Sequence, residues 1–563
     1  MSHPWLSHYD AGVPKTLAPY PERTLLDYLA ESARTLGDKP ILSMKGRVVS
    51  YAELEQASDA FAAALAANGV KRGDRVALCL PNCPQFFVAE IGAWKVGAIA
   101  CPFNPTYSER EMQDALTTTG AKTVVVLNRF YSKIKEFQHA TSVERVIATN
   151  IKEFLPFPLS LLYTAFKEKK DGDRIAVAAG DFRMSELLSK YRGAARPDVN
   201  VSPNDAAVIL MSGGTTGTPK GVVGLHGGMV VAGIQIRAWL SPAMNEWDTI
   251  LLPLPMFHTY ANTGVQSLAF INHNPIALVP NPRDIRELLK DFNEVKPAFT
   301  CAVPTLLNAI MNHTMVREKK VDFSSLKLCF SGAAALMAET KKRFEEITGC
   351  VIVEGYSLTE AQMAVIANPV KGERKIGSVG MPLPDVELRI LDADDGITPM
   401  PLGEVGEIVI HARQITPGYW NDPEASKEML RTDAGGERLL FTGDLGYIDS
   451  DGYLFIVDRK KDLIKTSGFQ VWPREIEEVI SAHPAVHEVG VIGLPDKMKG
   501  ETVKAFVVLR PGAKLDAAEL KAWCKERLAP YKVPTQFDFV NDLPKSQIGK
   551  VLRRVLRQEG APT

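Results

Sequence analysis

A glycine- and threonine-rich stretch in the first half of the sequence has the composition of an anion-binding loop. Residues 211–223 read MSGGTTGTPKGVV, with four glycines, three threonines, one serine and one lysine. Glycines let backbone N–H groups approach an anion closely, hydroxyls add hydrogen-bond donors, and Lys220 adds a positive charge. This chemistry suits a polyphosphate, such as a triphosphate bound to Mg²⁺. The predicted nucleotide-binding residues of this loop are Ser212, Gly213, Gly214, Thr215, Thr216, Gly217 and Lys220.

The loop differs from a Walker loop, which requires the pattern Gly-x-x-x-x-Gly-Lys-Ser/Thr. Its second half reads GTPKG, and the Gly549-Lys550 pair elsewhere in the chain is followed by Val551. A P-loop kinase or ATPase is therefore disfavoured. For this stretch taken alone, a mobile turn without a ligand stays open as the alternative interpretation.

Length and composition indicate a large globular protein. The chain has 563 residues, 45% hydrophobic and 23% charged, which is enough for more than one domain. Its seven cysteines lie mostly in apolar runs and lack CxxC spacing, which predicts reduced, buried thiols. The first residues lack the continuous apolar segment of a signal peptide, so we expect a cytoplasmic protein.

Two apolar segments raise the question of membrane contact. Residues 249–282 contain no Asp, Glu, Lys or Arg, but prolines, histidines and asparagines interrupt them, and we predict buried strands and loops. Residues 154–170, FLPFPLSLLYTAFKEKK, combine an apolar helical face with a basic end. That pattern predicts peripheral contact with the inner face of the membrane; a segment covered by the rest of the protein would look similar.

Short apolar runs alternate with helical patterns over the first 370 residues or so. Such alternation is typical of an α/β fold in which parallel sheets are wrapped by helices and ligands lie beyond the strand ends. The predicted helices between the runs include 84–97 and the segments SEREMQDALTTTG and ALMAETKKRFEEITG. The predicted strands are 75–80, 98–103, 122–127, 206–212, 299–304, 326–332 and 351–356.

The pattern changes after Lys371, where strands are broken by turn signals such as Asp451-Gly452. We predict an N-terminal domain over 1–457, with a β subdomain over about 371–457. A charged linker at 458–461 follows, and 462–563 form a small α+β domain. From Arg459 onward there are 19 basic and 13 acidic residues. This excess suits a polyanionic small molecule, but on charge alone an ordinary charged surface is the preferred interpretation.

Six motifs, in order, resemble those of the adenylate-forming superfamily, which includes acyl-CoA synthetases, firefly luciferase and peptide-synthetase adenylation domains. The resemblance covers about residues 25–557. The run at 458–477, the opening HYDAGVPKTL and the long segment 128–195 resemble bacterial long-chain fatty-acid CoA ligases in particular. The six motifs are SGGTTGTPKG (212–221), FH followed by YA (257–261), EGYSLTE (354–360), TGD (442–444), DRKKDLIKTSGFQVWPREIE (458–477) and PKSQIGKVLRR (544–554).

The resemblance implies catalytic roles for four residues. Lys550 is expected to reach the carboxylate and the α-phosphate, where it lowers the repulsion between two anions. Thr359 is expected to bind phosphate and Glu360 to ligate Mg²⁺, while His258 borders the acyl pocket. Sequence pattern alone favours a solvated lysine at position 550. A helix cap at residues 359–360 and a buried structural histidine at position 258 stay open as alternatives.

The resemblance also implies a nucleotide site and a hinge. Tyr356 is expected against the adenine, Asp444 and Arg459 at the ribose, and Lys461 at a hinge about which the C-terminal domain rotates. Tyr356 would also suit a hydrophobic core, and Arg459 a solvated linker. Ser357 departs from the commoner Tyr-Gly-x-Thr-Glu pattern. The other residues expected near the nucleotide, acyl group or thioester site are Gly332, Ala333, Ala334, Ser357, Lys465 and Gly468.

The implied activity is ATP-dependent activation of a fatty acid of medium to long chain, followed by transfer to coenzyme A. Alternatives are a ligase for an aryl or cinnamate-like acid, and an acyl-AMP ligase that feeds a carrier protein. The carrier would be a separate protein, because the sequence ends at Thr563. A non-catalytic nucleotide-binding scaffold is a further alternative. Fatty acid, ATP and coenzyme A are the expected partners. We also expect a homodimer and no nucleic-acid partner.

Overall fold

The computed structural model describes residues 3–212, 219–334, 336–433, 435–466, 469–496, 498–545 and 551–560. The strands are β1 Pro40–Met44, β2 Arg47–Ser50, β3 Arg75–Cys79, β4 Ile99–Pro102, β5 Thr123–Leu127, β6 Arg145–Thr149, β7 Phe182–Arg183, β8 Ala206–Met211, β9 Gly221–Leu225, β10 Ile250–Leu252, β11 Ile276–Leu278, β12 Phe299–Ala302, β13 Leu328–Ser331, β14 Val351–Leu358, β15 Met363–Ala367, β16 Met381–Pro382, β17 Glu387–Leu391, β18 Gly406–His411, β19 Leu430–Thr432, β20 Arg438–Ile448, β21 Leu454–Arg459, β22 Ile464–Thr466, β23 Phe469–Val471, β24 Val486–Asp496, β25 Gly500–Leu509 and β26 Gln536–Phe539.

The helices occupy both the large N-terminal part and the smaller C-terminal part. The α-helices are α1 Leu25–Thr35, α2 Tyr51–Ala67, α3 Pro84–Lys95, α4 Glu109–Thr119, α5 Asn128–Phe137, α6 Leu159–Leu162, α7 Met184–Lys190, α8 His226–Leu240, α9 Gln266–Asn272, α10 Ile285–Val295, α11 Pro304–Asn312, α12 Thr314–Arg317, α13 Ala338–Thr348, α14 Pro423–Met429, α15 Pro473–Ser481, α16 Ala517–Lys525 and α17 Arg553–Gly560. Shorter 3₁₀ or π turns cover Pro4–Ser7, Gln138–Ala140, Ile151–Phe154, Tyr163–Lys167, Tyr260–Val265, Thr359–Ala361 and Lys460–Asp462.

Two large, mostly parallel sheets form the N-terminal part. Within the described residues, one has the strand order β7-β6-β5-β3-β4-β8-β9 and the other β16-β15-β14-β13-β12-β10-β11-β1-β2. In the first sheet, the edge strand β9 pairs antiparallel with β8. In the larger sheet, β2 pairs antiparallel with β1 at one end, and β15 and β16 form antiparallel pairs at the other. Helix α3 is buried along its whole length and contacts strands of both sheets. The predicted α/β class and the seven predicted parallel-sheet strands are confirmed.

A smaller antiparallel sheet follows, with the order β17-β18-β20-β19 and β21 paired to β20. The hairpin between β20 and β21 turns at Asp451-Gly452, as predicted. Gly452 has φ +88°, and a Cβ there would lie 2.6 Å from the backbone nitrogen of Trp5. Glycine is therefore required at this turn for both its conformation and its close contact.

The C-terminal part has its own sheet, β23-β22-β25-β24 with β26 on β25. Ile464, Ile476, Val491 and Leu520 belong to a hydrophobic core that is separate from the N-terminal one. A separate core and sheet are what distinguish a domain. The smaller C-terminal unit of the predicted architecture is therefore present.

The uncharged stretch 249–282 contains a helix that the sequence did not reveal. Strands β10 and β11 are present, but the π turn Tyr260–Val265 runs directly into α9 between them. The prediction of strands and loops was wrong there. Every residue of both segments is buried, so they show no polar face and none of the periodicity that marks an amphipathic helix. Among the described residues, no helix is both long and apolar enough to span a bilayer.

The seven cysteines are free thiols, and all of them are buried. Burial raises the pKa of Cys83 to about 12 and that of Cys350 to about 11. Such thiols stay protonated at neutral pH and are poor nucleophiles. The prediction of buried, reduced cysteines is confirmed.

Candidate active site

The predicted anion-binding loop joins two antiparallel strands. Strands β8 and β9 pair with Met211 opposite Gly221, and the backbone N–H of Ser212 donates to the carbonyl of Lys220 at 2.8 Å. The two ends of the loop therefore meet, so that Ser212 and Lys220 are neighbours. Predicted residues Gly213, Gly214, Thr215, Thr216 and Gly217 lie outside the described residues.

Lys220 contacts a segment that sequence reasoning did not associate with it. Its ammonium lies 3.6 Å from Asp422 Oδ2 and 5.0 Å from the centre of the Tyr419 ring. Both contacts attract a cation, one through charge and one through the ring quadrupole. Lys220 therefore rests on the segment that precedes α14.

A buried acid on strand β20, Asp444, contacts residues of β14 and β21 next to the linker. Asp444 is 4% exposed; its Oδ2 accepts a hydrogen bond from the Tyr356 hydroxyl at 2.5 Å, and its Oδ1 lies 3.0 Å from Arg459 Nε. Pairing of β20 with β21 places Asp444 opposite Arg459. Burial and the Asp444 charge raise the pKa of Tyr356 well above its usual value. The phenol thus stays protonated and remains a donor to the carboxylate.

Thr359 and Glu360 begin the 3₁₀ turn that follows β14. Glu360 Oε1 accepts a hydrogen bond from the Tyr419 hydroxyl at 2.9 Å, and its backbone carbonyl accepts one from the Thr416 N–H at 2.8 Å. Glu360 is half-buried, and its second carboxylate oxygen has no hydrogen bond within the described part of the chain. An oxygen without a partner among the described residues suits a cation ligand.

The residues present fit a Mg²⁺ ion that arrives with a phosphate ligand. Among the described residues, no group of three or more His, Cys, Asp or Glu side chains forms a metal site by itself. Mg²⁺ is commonly held by one or two carboxylates together with substrate phosphates and water. The Glu360 carboxylate offers one oxygen of this kind.

Gly332, Ala333 and Ala334 follow the end of β13. Ala333 adopts φ +67°, and a Cβ on Gly332 would lie 3.4 Å from the Tyr260 ring and 3.5 Å from the Gly355 carbonyl. The segment therefore turns sharply beside β14, which carries Tyr356. Ser357 is half-buried on the same strand, beyond an irregularity in its pairing with β15.

His258 lies in a half-buried turn before the π-helical segment. Its Nδ1 accepts the Tyr260 backbone N–H at 3.2 Å, so the neutral ring carries its proton on Nε2. Desolvation lowers the pKa of His258 to about 4, so the imidazole is uncharged at neutral pH. It can therefore offer an N–H donor without carrying a charge.

A small apolar cavity of about 10 Å³ lies beside Tyr260. A Cβ on Gly264 would lie 2.4 Å from Met363 Sδ, so the methionine side chain fills the space that the glycine leaves. The walls expose no polar surface. The residues that line the cavity are Ile236, Trp239, Leu240, Tyr260, Gly264, Val265, Leu268, Phe299, Phe330, Met363, Ala364, Ala367 and Leu383.

The linker carboxylates bind the C-terminal helices. Asp458 accepts the Arg474 N–H at 2.9 Å and lies 3.0 Å from Arg553, while Asp462 lies 2.9 Å from Arg557. Lys461, between them, is exposed. Lys465 is exposed on β22, and its backbone N–H donates to Glu501. Predicted residues Gly468 and Lys550 lie outside the described residues.

Comparison with known protein families shows which family this chain belongs to. The AMP-binding enzyme family matches residues 29–420, and the AMP-binding enzyme C-terminal domain matches residues 475–550. The chain belongs to the AMP-binding enzyme family. The predicted membership of the adenylate-forming superfamily is therefore confirmed.

Individual relatives of this AMP-binding enzyme cover nearly its whole length. It is 36% identical to a long-chain-fatty-acid–CoA ligase of Bacillus subtilis (strain 168), over 99% of this chain and 98% of that one. It is 31% identical to the 4-coumarate–CoA ligase CCL1 of Humulus lupulus, over 95% of this chain and 93% of that one. The crystal structure of ATP-bound MatB from Rhodopseudomonas palustris is similar, with a TM-score of 0.81 and 28% sequence identity. The match covers 95% of this chain and 99% of that one.

The site of this AMP-binding enzyme combines predicted and unpredicted residues. Tyr356, Asp444 and Arg459 form one cluster. A second contains Lys220 and Glu360, which both contact Tyr419. Tyr419, Asp422 and Thr416 were not predicted. They lie in the segment ITPGYWND, whose proline and glycine mark a turn, and a turn signal by itself indicates no chemistry.

Proposed function

We propose that this AMP-binding enzyme joins a fatty acid to coenzyme A at the expense of ATP, producing acyl-CoA, AMP and pyrophosphate. The observation that carries the proposal is the buried Asp444 carboxylate, held by Tyr356 and Arg459. A carboxylate fixed in this way is a ready acceptor for the hydroxyls of a ribose. Identity to the fatty-acid ligase exceeds identity to the coumarate ligase, which favours an alkyl acid.

The proposed reaction has two displacements. A carboxylate oxygen of the fatty acid attacks the α-phosphorus of ATP, and the bond to the bridging oxygen breaks as pyrophosphate leaves with the electron pair. The thiolate of coenzyme A then attacks the acyl carbon of the acyl-AMP, and AMP leaves with the electron pair of the acyl–oxygen bond. Both steps move negative charge between oxygens, so fixed cations and donors supply most of the catalysis.

The predicted residues fill these roles in the proposal. Lys220 and the 212–217 loop bind the triphosphate, with Thr359 as a phosphate donor. Glu360 holds Mg²⁺, which neutralises phosphate charge when bound. Tyr356, Ser357 and the 332–334 segment border the adenine and acyl group, and Lys550 joins the carboxylate to the α-phosphate.

The acyl side favours an alkyl chain. The cavity beside Tyr260 is small but apolar, so once enlarged it would suit the methylenes of an alkyl chain better than a polar ring substituent, which would have no partner there. His258, uncharged at neutral pH, fits the entrance of such a pocket. Because Met363 is an unbranched and adaptable side chain, it can move aside as the chain enters.

A rotation at Lys461 would let one enzyme serve both steps. Asp458, before Lys461, and Asp462, after it, both pair with Arg553 on α17, so the proposed rotation has to break the Asp458–Arg553 pair. In the proposal, that part first presents Lys550 for adenylation and then turns to present Lys465 and Gly468 to coenzyme A. The domain limits 1–457, 458–461 and 462–563 belong to this proposal, as does a homodimer, for which the family resemblance is the support.

The test is AMP release with ATP, Mg²⁺ and saturated fatty acids from short to long, with and without coenzyme A. We expect turnover that depends on coenzyme A and rises with chain length to an optimum, because each buried methylene contributes about 0.8 kcal/mol. Pyrophosphate exchange without a coenzyme A thioester would instead point to a carrier protein as acceptor. Absence of exchange with both fatty and aryl acids would favour a non-catalytic scaffold.

We also propose that the enzyme contacts a lipid surface peripherally through residues 154–170. Phe157 is 79% exposed, Phe166 74% and Leu161 59%. Three exposed lysines follow at 167, 169 and 170. An apolar face beside basic residues suits an interface with anionic lipid.

Polar contacts hold the inner side of this segment to the protein. The Tyr163 hydroxyl contacts Asp173, and the buried Glu168 lies 2.6 Å from Lys152. The apolar side chains are therefore displayed by a braced segment. The alternative, a segment covered by the rest of the protein, is contradicted by their exposure.

Changing Phe157 and Phe166 to Ser together is expected to reduce binding to phosphatidylglycerol vesicles at least tenfold, because each ring loses about 1.5–3 kcal/mol of burial. Vesicle flotation measures the bound fraction. Ile397→Ser, which changes a side chain 77% exposed in another part of the surface, is the matched control and should bind as the parent does. Equal binding of all three proteins would contradict lipid contact through this segment.

A further inference from the structure

Tyr419 contacts the two charged side chains that the proposed function assigns to the metal and to the triphosphate. Its hydroxyl donates to Glu360 Oε1 at 2.9 Å, and the Lys220 ammonium lies 5.0 Å from the centre of its ring. The chain positions 220, 360 and 419 lie far apart, so folding brings them together. A single half-buried phenol thus links a carboxylate and a cation of opposite charge.

Hydrogen bonds to backbone carbonyls hold the segment that carries Tyr419, both before and after this residue. The Thr416 N–H donates to the Glu360 carbonyl at 2.8 Å, and the Thr416 hydroxyl donates to the Val223 carbonyl at 2.6 Å. The Trp420 N–H donates to the Gly221 carbonyl at 2.7 Å. The segment therefore joins the end of the anion-binding loop to the turn that holds Glu360.

We propose that Tyr419 is a positioning residue that orients the Glu360 carboxylate for Mg²⁺ and holds Lys220 beside it. The hydrogen bond occupies Oε1 and leaves the other oxygen for the ion. Partners that hydrogen-bond to a metal ligand tune metal affinity, commonly 10–100-fold. The assignment rests on the proposed function, because that function makes Glu360 the metal ligand.

The chemistry of the ring and the hydroxyl can be separated by substitution. Tyr419→Phe keeps the ring under Lys220 and the packing of the segment, but removes the donor to Glu360. Tyr419→Leu removes both. A purely structural tyrosine would affect metal-bound and metal-free nucleotide alike, whereas a positioning residue affects them differently.

The experiment is equilibrium calorimetry of ATP binding without fatty acid, once with excess Mg²⁺ and once with EDTA. For Tyr419→Phe we expect the Kd for MgATP to rise about tenfold while the Kd for metal-free ATP stays at the parent value. For Tyr419→Leu we expect the Kd for metal-free ATP to rise as well, by about two- to fivefold, because Lys220 loses its ring contact.

Tyr447→Phe is the matched control. Tyr447 stacks on Phe455, and its hydroxyl makes no hydrogen bond within the described residues, so both Kd values should match the parent. An unchanged Kd for MgATP in Tyr419→Phe, or an equal rise with and without the metal, would overturn the assignment. A parent enzyme that binds neither form of ATP would refute the proposed function, and the positioning role with it.

Discussion

Replacing Asp444 with Asn is expected to raise the KM for ATP roughly 30-fold or more. The carboxylate accepts the Tyr356 hydroxyl at 2.5 Å and pairs with Arg459 at 3.0 Å. An amide has the same shape but no charge, and its NH₂ group faces one of these two donors. Hydrogen bonds to charged groups contribute about 1.5–3 kcal/mol, and about 1.4 kcal/mol is a factor of ten.

Initial rates of pyrophosphate release against ATP concentration measure this effect. Asp538→Asn is a suitable control, because Asp538 is half-exposed and pairs with Lys504 in the C-terminal sheet. A double-mutant cycle with Tyr356→Phe should show coupling, since the two side chains share one hydrogen bond. A KM for ATP that stays at the parent value in Asp444→Asn would exclude this carboxylate from the ribose site.

Replacing Lys550 with Ala is expected to slow acyl-AMP formation by roughly 10²–10³, the usual cost of removing one group that stabilises charge in the transition state. The carboxylate and the α-phosphate are both anions, and without the lysine their repulsion is not offset. Thioester formation from supplied acyl-AMP should change much less, because the carboxylate and the α-phosphate that the lysine brings together are already joined in acyl-AMP.

Two assays separate the half-reactions. Pyrophosphate exchange reports adenylation, and thioester formation from synthetic acyl-AMP reports transfer to coenzyme A. Lys545→Ala is the matched control, since Lys545 pairs with Glu488 at 2.6 Å and with Asp542 at 3.0 Å. Equal losses in both assays would show that Lys550 has no specific role in adenylation.

The acyl side of the site illustrates where sequence patterns fail. The helical segment Tyr260–Asn272 was predicted as strands and loops, because its residues are buried on every side. Periodicity reports the difference between a buried and an exposed face, and a segment without an exposed face shows none. Only packing reveals that Met363 fills the space beside Gly264.

Contacts between residues that lie far apart in the chain could not be predicted from the sequence either. Tyr419 lies 59 residues from Glu360 along the chain, and nothing in its turn-rich neighbourhood suggests a contact with the acid. Asp422 was missed for the same reason. A side chain that acts through another residue leaves no motif of its own when a single sequence is read.

The sequence by itself determined the α/β class, the strands that end beside the site and the family. These follow from local burial patterns and from ordered motifs, both of which are written in neighbouring residues. The tertiary structure alone decided that Tyr356 donates to Asp444, that Arg459 faces the same acid and that Tyr419 joins Glu360 to Lys220. Such contacts depend on how sheets and loops pack against one another, which the local order of residues does not specify.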